Sequence, residues 1–461
     1  MAFALNGYLL AIASILLTIF INKKLIHFPT VSLDEDQYWG PGIRPEIQDQ
    51  TLREFKINIS EKVLLYLKYR VANARPLPLS LLDVHHQYGI NVELMEDVLY
   101  FWNSKYDWKK KREPHFNKFP HYKTNIQGLD IHYIHEKPKN EKNLKVVPIL
   151  LLHGWPGSFL EFYHIIPHLT NPLGSKKFAF EVIVPSLPGF GFSEAASKPG
   201  LGAAQMAVVL HNLMKRIGFQ TYYIQGGDWG SIIGGIMSSK YPESVLGFHS
   251  TMCFTMERLP NLLILLGSLF PSFIVEKKFE DRVYPLSKIY SRLIEETGYL
   301  HLQATKPDTL GVALTDSPVG LAAYILEKFV DFTDAKLIDT KLANLRNSYG
   351  YEALLDNIVM YWITGTITTS MRLYAETFNP SHFALGWLNQ PITVPSACSR
   401  FKNEIAFQPE SILKYKFTNL VVLRDHEVGG HFASMEVPTI LANDIWFAVD
   451  TMEKYHRSDE K

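Results

Sequence analysis

The sequence predicts an α/β fold: a mostly parallel sheet with a helical block inserted between its strands. Three observations predict it. After residue 120, short and nearly continuous apolar runs alternate with helix-like segments. Residues 254–378 break that alternation, being aromatic-rich and helical in pattern without strong strand signals. The alternation resumes in residues 379–461 and closes in a helix.

Taken in order, residues 1–22 open as "MAFALNGYLLAIASILLTIFI", with Asn6 the main polar interruption. Roughly twenty such residues can span a bilayer as a helix. Lys23 and Lys24 follow the run rather than precede it, and "INKK" is a poor cleavage site, so an uncleaved anchor is expected rather than a signal peptide. Positive charge on this flank predicts a cytosolic main body. Residues 23–119 begin as an extended Pro/Gly/acid-rich linker to about residue 50. They continue as a mostly helical segment, "SEKVLLYLKYRVANA", "SLLDVHHQYGI" and "NVELMEDVLYFWNSKYDW", with Ser60 and Asn91 as helix starts. The basic run Lys109 to Arg112 reads as a solvated face.

Residues 120–253 form the first part of the α/β core. "HYKTNIQGLDIHYIHE" alternates like a hairpin with Gly128 at its turn. "LKVVPILLLHG", "FEVIVPSLPG", "TYYIQGG" and "VLGFHST" read as strands buried on both faces, and "GAAQMAVVLHNLMKRIG" as a helix between two of them. The block 254–378 would lie as a lid over the sheet's C-terminal edge, where such folds bind ligands. "ITVPSAC", "FTNLVVLR" and the helix "VPTILANDIWFAVDTMEKY" complete the core in 379–461.

Composition bounds function. The chain has 461 residues, is 47% hydrophobic, and balances 46 Lys+Arg against 46 Asp+Glu for a net charge of +0. Nothing in that balance favours nucleic acid. Cys253 and Cys398 are the two cysteines, without CxxC spacing or a Cys/His cluster, so neither a disulfide framework nor structural zinc is expected. "HExxxH" at His426–His431 is not the HExxH of a zinc helix, and Gly429–Gly430 would break such a helix.

The chemistry concentrates at "TYYIQGGDWGSIIGG". A strand-like run meets Gly-x-Asp-x-Gly and then a small-residue helix, which is the layout of a nucleophile elbow with Asp228 in place of the usual serine. Gly226 and Gly230 are needed where side chains would clash, and the helix N-terminus favours the ionised carboxylate. The oxyanion hole would use the N–H of Trp229 and that of Trp155 in "HGWPG"; His153 reads as structural. A carboxylate can attack an electrophilic sp³ carbon and form an alkyl ester, whose cleavage then needs water activated by a base. The expected chain order is nucleophile, acid, histidine. "VVLRDHEVGGHFASMEVP" offers His426 and His431, and the glycine pair favours His431. Glu404 in "SRFKNEI" is the candidate acid, with Asp425 and Glu427 as rivals.

With these residues collected, the chain resembles the microsomal epoxide hydrolases of the α/β-hydrolase superfamily. The resemblance runs through the N-terminal anchor, the helical N-terminal segment, "HGWPG", "GGDWG", the lid and "GGHF". "YWGPG" and "VPSACSRF" look most like the insect juvenile hormone epoxide hydrolases. The resemblance implies Asp228 as nucleophile, His431 as base and Glu404 as its acid. It also implies two lid tyrosines as donors to the epoxide oxygen, falling on Tyr299 and Tyr374. Sequence alone does not separate these two from Tyr284, Tyr290, Tyr324, Tyr349, Tyr351 and Tyr361. It further implies a terpenoid epoxide substrate, a diol product, no metal or organic cofactor, and an endoplasmic reticulum membrane location. A haloalkane dehalogenase would share the Asp, the His and the Trp, but would need a halide pocket instead of the tyrosine pair. A general detoxifying epoxide hydrolase would differ in substrate range, and a silent hormone carrier would bind without turnover.

Overall fold

A computed structural model describes residues 30–139, 144–172, 174 and 176–459. The expected span in residues 1–22 lies outside the described residues. Among the described residues no single helix is long and apolar enough to cross a membrane.

Nine strands form one sheet: β1 (Arg53–Phe55), β2 (His121–Ile126), β3 (Leu129–Glu136), β4 (Lys145–Leu152), β5 (Phe178–Pro185), β6 (Tyr222–Gly226), β7 (Val245–Ser250), β8 (Ser396–Asn403) and β9 (Leu420–Gly430). Their order is β1-β2-β3-β5-β4-β6-β7-β8-β9. The first four pair antiparallel; β5-β4-β6-β7-β8-β9 pair parallel. The β2–β3 hairpin turns at Gln127 and Gly128, both at positive φ (54° and 86°), the backbone of a two-residue turn that matches strand twist.

The parallel strands are apolar along most of their length because helices cover both faces. At β7 this can be read from adjacent residues. A Cβ on Gly234 of the helix Asp228–Lys240 would meet Phe248 at 2.8 Å, whereas a Cβ on Gly247 would meet Met452 of the terminal helix Pro438–Asp459 at 2.5 Å. Consecutive residues face opposite sides of a strand, so these two helices sandwich the sheet. Trp446 of the terminal helix also packs on Phe178 and Phe180 of β5, at centroid distances of 4.9 and 4.5 Å.

Between β7 and β8 the chain is built of helices and turns, from Arg258–Gly267 to Trp387–Asn389, apart from a bridge at Ile392. The N-terminal helices Glu61–Ala72 and Val92–Ser104 start at Ser60 and Asn91, whose side chains accept from the amides of Val63 and Glu93.

Local expectations fail in three places. "SLLDVHHQYGI" forms turns, not a helix: Asp83 and His85 adopt positive φ (59° and 45°), and the His86 amide donates to Ile338 in the inserted block instead of closing a helical turn. The basic run is only half a solvated face. Lys110 and Lys111 are exposed, but Arg112 turns inward to Asp356, its Nε 2.8 Å from Oδ1, and pins the N-terminal segment to the helix Tyr351–Thr364. Lastly, Cys253 and Cys398 form a disulfide across 145 residues. No spacing signal could announce it, because the pairing follows from the parallel neighbours β7 and β8 carrying the two residues together.

Candidate active site

β6 ends at Gly226, and the helix Asp228–Lys240 begins at Asp228 itself. Asp228 has φ 48°, an unusual conformation for a residue with a side chain and one that stores strain at functional turns. Its surroundings leave no room for bulk. A Cβ on Gly230 would stand 2.1 Å from the Leu152 carbonyl oxygen, and one on Gly154 would stand 2.0 Å from Asp228 Oδ1. The strained turn therefore lifts the carboxylate against the loop that follows β4.

That loop supplies a donor. The Trp155 amide gives its hydrogen to Asp228 Oδ1 at 2.7 Å. Trp229 stands in the first turn of the helix after Asp228. His153 is engaged in holding the loop: its Nδ1 lies 3.0 Å from the Gly154 carbonyl and its Nε2 accepts from the Leu187 amide at 3.1 Å. Burial pushes its pKa down to about 4.

β8 and β9 deliver two more groups from their C-terminal ends. Glu404 follows β8 directly, and His431 follows β9 after Gly429 at φ 83°. His431 Nδ1 lies 2.9 and 3.2 Å from the two Glu404 carboxylate oxygens. Its Nε2 lies 3.6 Å from Asp228 Oδ2. Burial opposes a charge on this ring, but the Glu404 and Asp228 carboxylates outweigh it and hold the His431 pKa well above the usual imidazole value. The rivals are placed elsewhere. His426 pairs with Asp444 of the terminal helix, Asp425 pairs with Arg400, and Glu427 is exposed.

Tyr299 and Tyr374 come from separate helices of the inserted block, Gly298–Thr305 and Ile367–Thr377. The Tyr299 ring stacks on Trp155 at 5.4 Å, and the Tyr374 ring meets Trp229 edge-on at 4.7 Å. Their hydroxyls share a hydrogen bond. Burial raises both phenol pKa values, aided at Tyr299 by Asp228 and at Tyr374 by Tyr299 and then Asp228, so both remain donors at neutral pH. The other lid tyrosines take different partners: Tyr324 donates to Gln303, Tyr351 to Asp97, and Tyr361 to the Gly157 carbonyl.

Two groups were invisible to sequence reasoning. Lys328 is buried beneath Tyr299, its Nζ 4.6 Å from the ring centroid, and pairs with Glu327 and Asp331. Glu161 reaches the Asp228–His431 pair from the short turn Phe159–His164. Neither lies in a spaced motif, and a lone charged residue in an apolar run carries no signal of its neighbours. Among the described residues no group of three or more His, Cys, Asp or Glu is placed to hold a metal ion.

A carboxylate at an elbow, an acid-supported imidazole beside it and paired phenols facing it form a machine for displacement at carbon followed by ester hydrolysis. Comparison with known proteins agrees. The family described as epoxide hydrolase N terminus matches residues 52–162, and the alpha/beta hydrolase fold matches residues 147–285. A juvenile hormone epoxide hydrolase of Ctenocephalides felis is 48% identical over 97% of this chain and 95% of its own. The chain is an epoxide hydrolase of the microsomal type within the α/β-hydrolase superfamily. The crystal structure of the juvenile hormone epoxide hydrolase of the silkworm Bombyx mori superposes on this enzyme with a TM-score of 0.89 at 46% identity, covering 92% of this chain and 100% of the other. Epoxide hydrolase 1 of Sus scrofa is 41% identical over 89% of this enzyme and 91% of its own length.

Proposed function

We propose that this enzyme converts juvenile hormone, a terpenoid epoxide, to its diol through an ester on Asp228. Asp228 Oδ2 attacks an epoxide carbon, the ring C–O bond breaks, and Tyr299 and Tyr374 donate to the oxygen as it becomes an alkoxide. Water then adds to the Asp228 carbonyl carbon while His431, oriented by Glu404, takes its proton. The oxyanion develops on the enzyme and is met by the amides of Trp155 and Trp229. Collapse expels the diol and restores the carboxylate, so the sum is epoxide plus water. The observation that carries this reading is the single line Glu404–His431–Asp228, at 2.9 and 3.6 Å, with the Trp155 amide already on the other Asp228 oxygen.

The electrostatics suit two steps. Alkylation removes the Asp228 charge, one of the two negative neighbours holding a proton on His431. The ring thus becomes a better base once the ester exists. The relatives named for juvenile hormone support the substrate, and the apolar, aromatic walls around Asp228 suit a terpenoid. In this reading residues 254–378 act as a lid, and residues 1–22 anchor the enzyme in the endoplasmic reticulum membrane with the catalytic body cytosolic. An apolar substrate can then arrive from the bilayer. Cys253 and Cys398 are 4% and 0% exposed, which keeps their bond from soluble thiols on that side.

The test is a single turnover with enzyme in excess, juvenile hormone as substrate and ¹⁸O-labelled water. The first diol should be largely unlabelled, its new oxygen coming from Asp228. A fully labelled first diol would exclude the ester. Asp228→Ala should give no diol, and preference for a small aryl epoxide over juvenile hormone would move the enzyme to general detoxification.

A further inference from the structure

A fourth carboxyl group reaches the reacting centre. Glu161 belongs to the 3₁₀ turn Phe159–His164, just beyond the Trp155 loop. Its Oε2 accepts from the Ser434 hydroxyl at 3.2 Å, and it also accepts from the Gly154 backbone. A Cβ on Gly157 would lie 1.9 Å from Oε1, so the carboxyl rests directly against the loop backbone. Glu161, Asp228 and His431 together border a space of about 20 Å³. A water needs roughly 10–15 Å³ of such space and two to four polar partners. Tyr299 and Tyr374 are not among its walls, so it is separate from the place where an epoxide oxygen would sit.

Behind this space lies a second cavity of about 370 Å³. Gly157 and Glu161 border both. The rear cavity carries Arg112, His115, His164 and Tyr349, a polar lining suited to water rather than to a terpenoid. Burial chiefly, and then Asp228, push the Glu161 pKa up to about 8 against the opposing pull of His431. A neutral carboxyl offers both a donor and an acceptor to water.

We propose that Glu161 holds the water that cleaves the Asp228 ester, and that the rear cavity supplies it. The proposal rests on Asp228 as nucleophile. In the step, one water O–H gives its proton to His431 Nε2 while the other donates to the Glu161 carboxyl oxygen. The water oxygen bonds to Asp228 Cγ, the ester C–O bond to the substrate breaks, and the departing alkoxide takes the proton from His431. Water and epoxide thus use different doors, and the apolar pocket need not fill with water between steps.

The experiment is rapid-quench single turnover with juvenile hormone, following the covalent adduct on the Asp228 peptide by mass spectrometry. In wild type the adduct should rise and fall. With Glu161→Leu, alkylation should stay within about twofold while adduct decay slows by about 10²-fold, the scale of a lost proton-transfer contact. Glu161→Gln, which keeps an acceptor and a donor, should recover most of the decay rate. Ala353→Phe, filling the rear cavity from its wall, should slow decay alone and serves if Glu161→Leu fails to fold. Decay at the wild-type rate in Glu161→Leu, equal loss of both steps, or a Gln variant as slow as Leu would overturn the proposal. An absence of adduct in wild type would instead mark failure of the nucleophile reading, before any variant is considered.

Discussion

His431 sits between two carboxylates, and its charge state sets both stability and rate. Its folded pKa is raised above the unfolded imidazole value of about 6.5. The stabilisation from these contacts is therefore complete below about pH 6.5 and is lost as pH rises through the folded value. Asp228→Asn removes one carboxylate, so NMR titration of the ring should show a lower His431 pKa in that variant. An unchanged value would leave Glu404 as the sole determinant. Tyr374→Phe should slow alkylation by about 10²–10³-fold, the cost of one oxyanion-type donor of about 2.7–4 kcal/mol, and leave adduct decay nearly intact. Rapid-quench rates for the two steps check this.

At the scale of elements, the site is assembled where strands end. Asp228, Glu404 and His431 stand at the C-terminal ends of β6, β8 and β9, which lie within four neighbouring strands of one sheet. The disulfide ties the loop after β7 to β8 in the middle of that group. Cys398→Ala should lower unfolding free energy by about 2–5 kcal/mol, as removal of a long-loop disulfide does. Urea titration measures it, and thiol labelling of the native protein without reductant should find neither cysteine reactive. Arg112 and Asp356 hold the N-terminal segment to the inserted block, and Tyr106 donates to the same carboxylate at 2.9 Å. Breaking that buried pair with Arg112→Met should cost about 3–5 kcal/mol, whereas replacing both partners by apolar residues should cost less, since no charge is then left unpaired. A double variant no better than the single one would count against this account of the pair.

For the whole molecule, the sheet's parallel half carries the nucleophile, acid and base, and the inserted helices bring the phenols down onto them. The N-terminal segment closes the rear by reaching the same helices. Removal of residues 1–29 should leave an active body that no longer sediments with membranes. A truncated enzyme that still sediments would exclude the anchor as the attachment.

The sequence by itself determined the order of strands and helices, because burial on both faces and turn chemistry are local signals. It also marked Asp228 and His431, since a strained elbow and a tight turn need glycines at fixed offsets. Glu404 stood level with its rivals by spacing and was singled out by resemblance, until the path of β8 put it beside His431. Tyr299 and Tyr374 were likewise indistinguishable from six other lid tyrosines until helix packing turned their rings onto Trp155 and Trp229. The turns of residues 80–90, the inward swing of Arg112, the Cys253–Cys398 bond and the place of Glu161 were decided only by tertiary structure. Each depends on what another part of the chain brings within a few ångströms, and no local pattern records contacts made across a hundred or more residues.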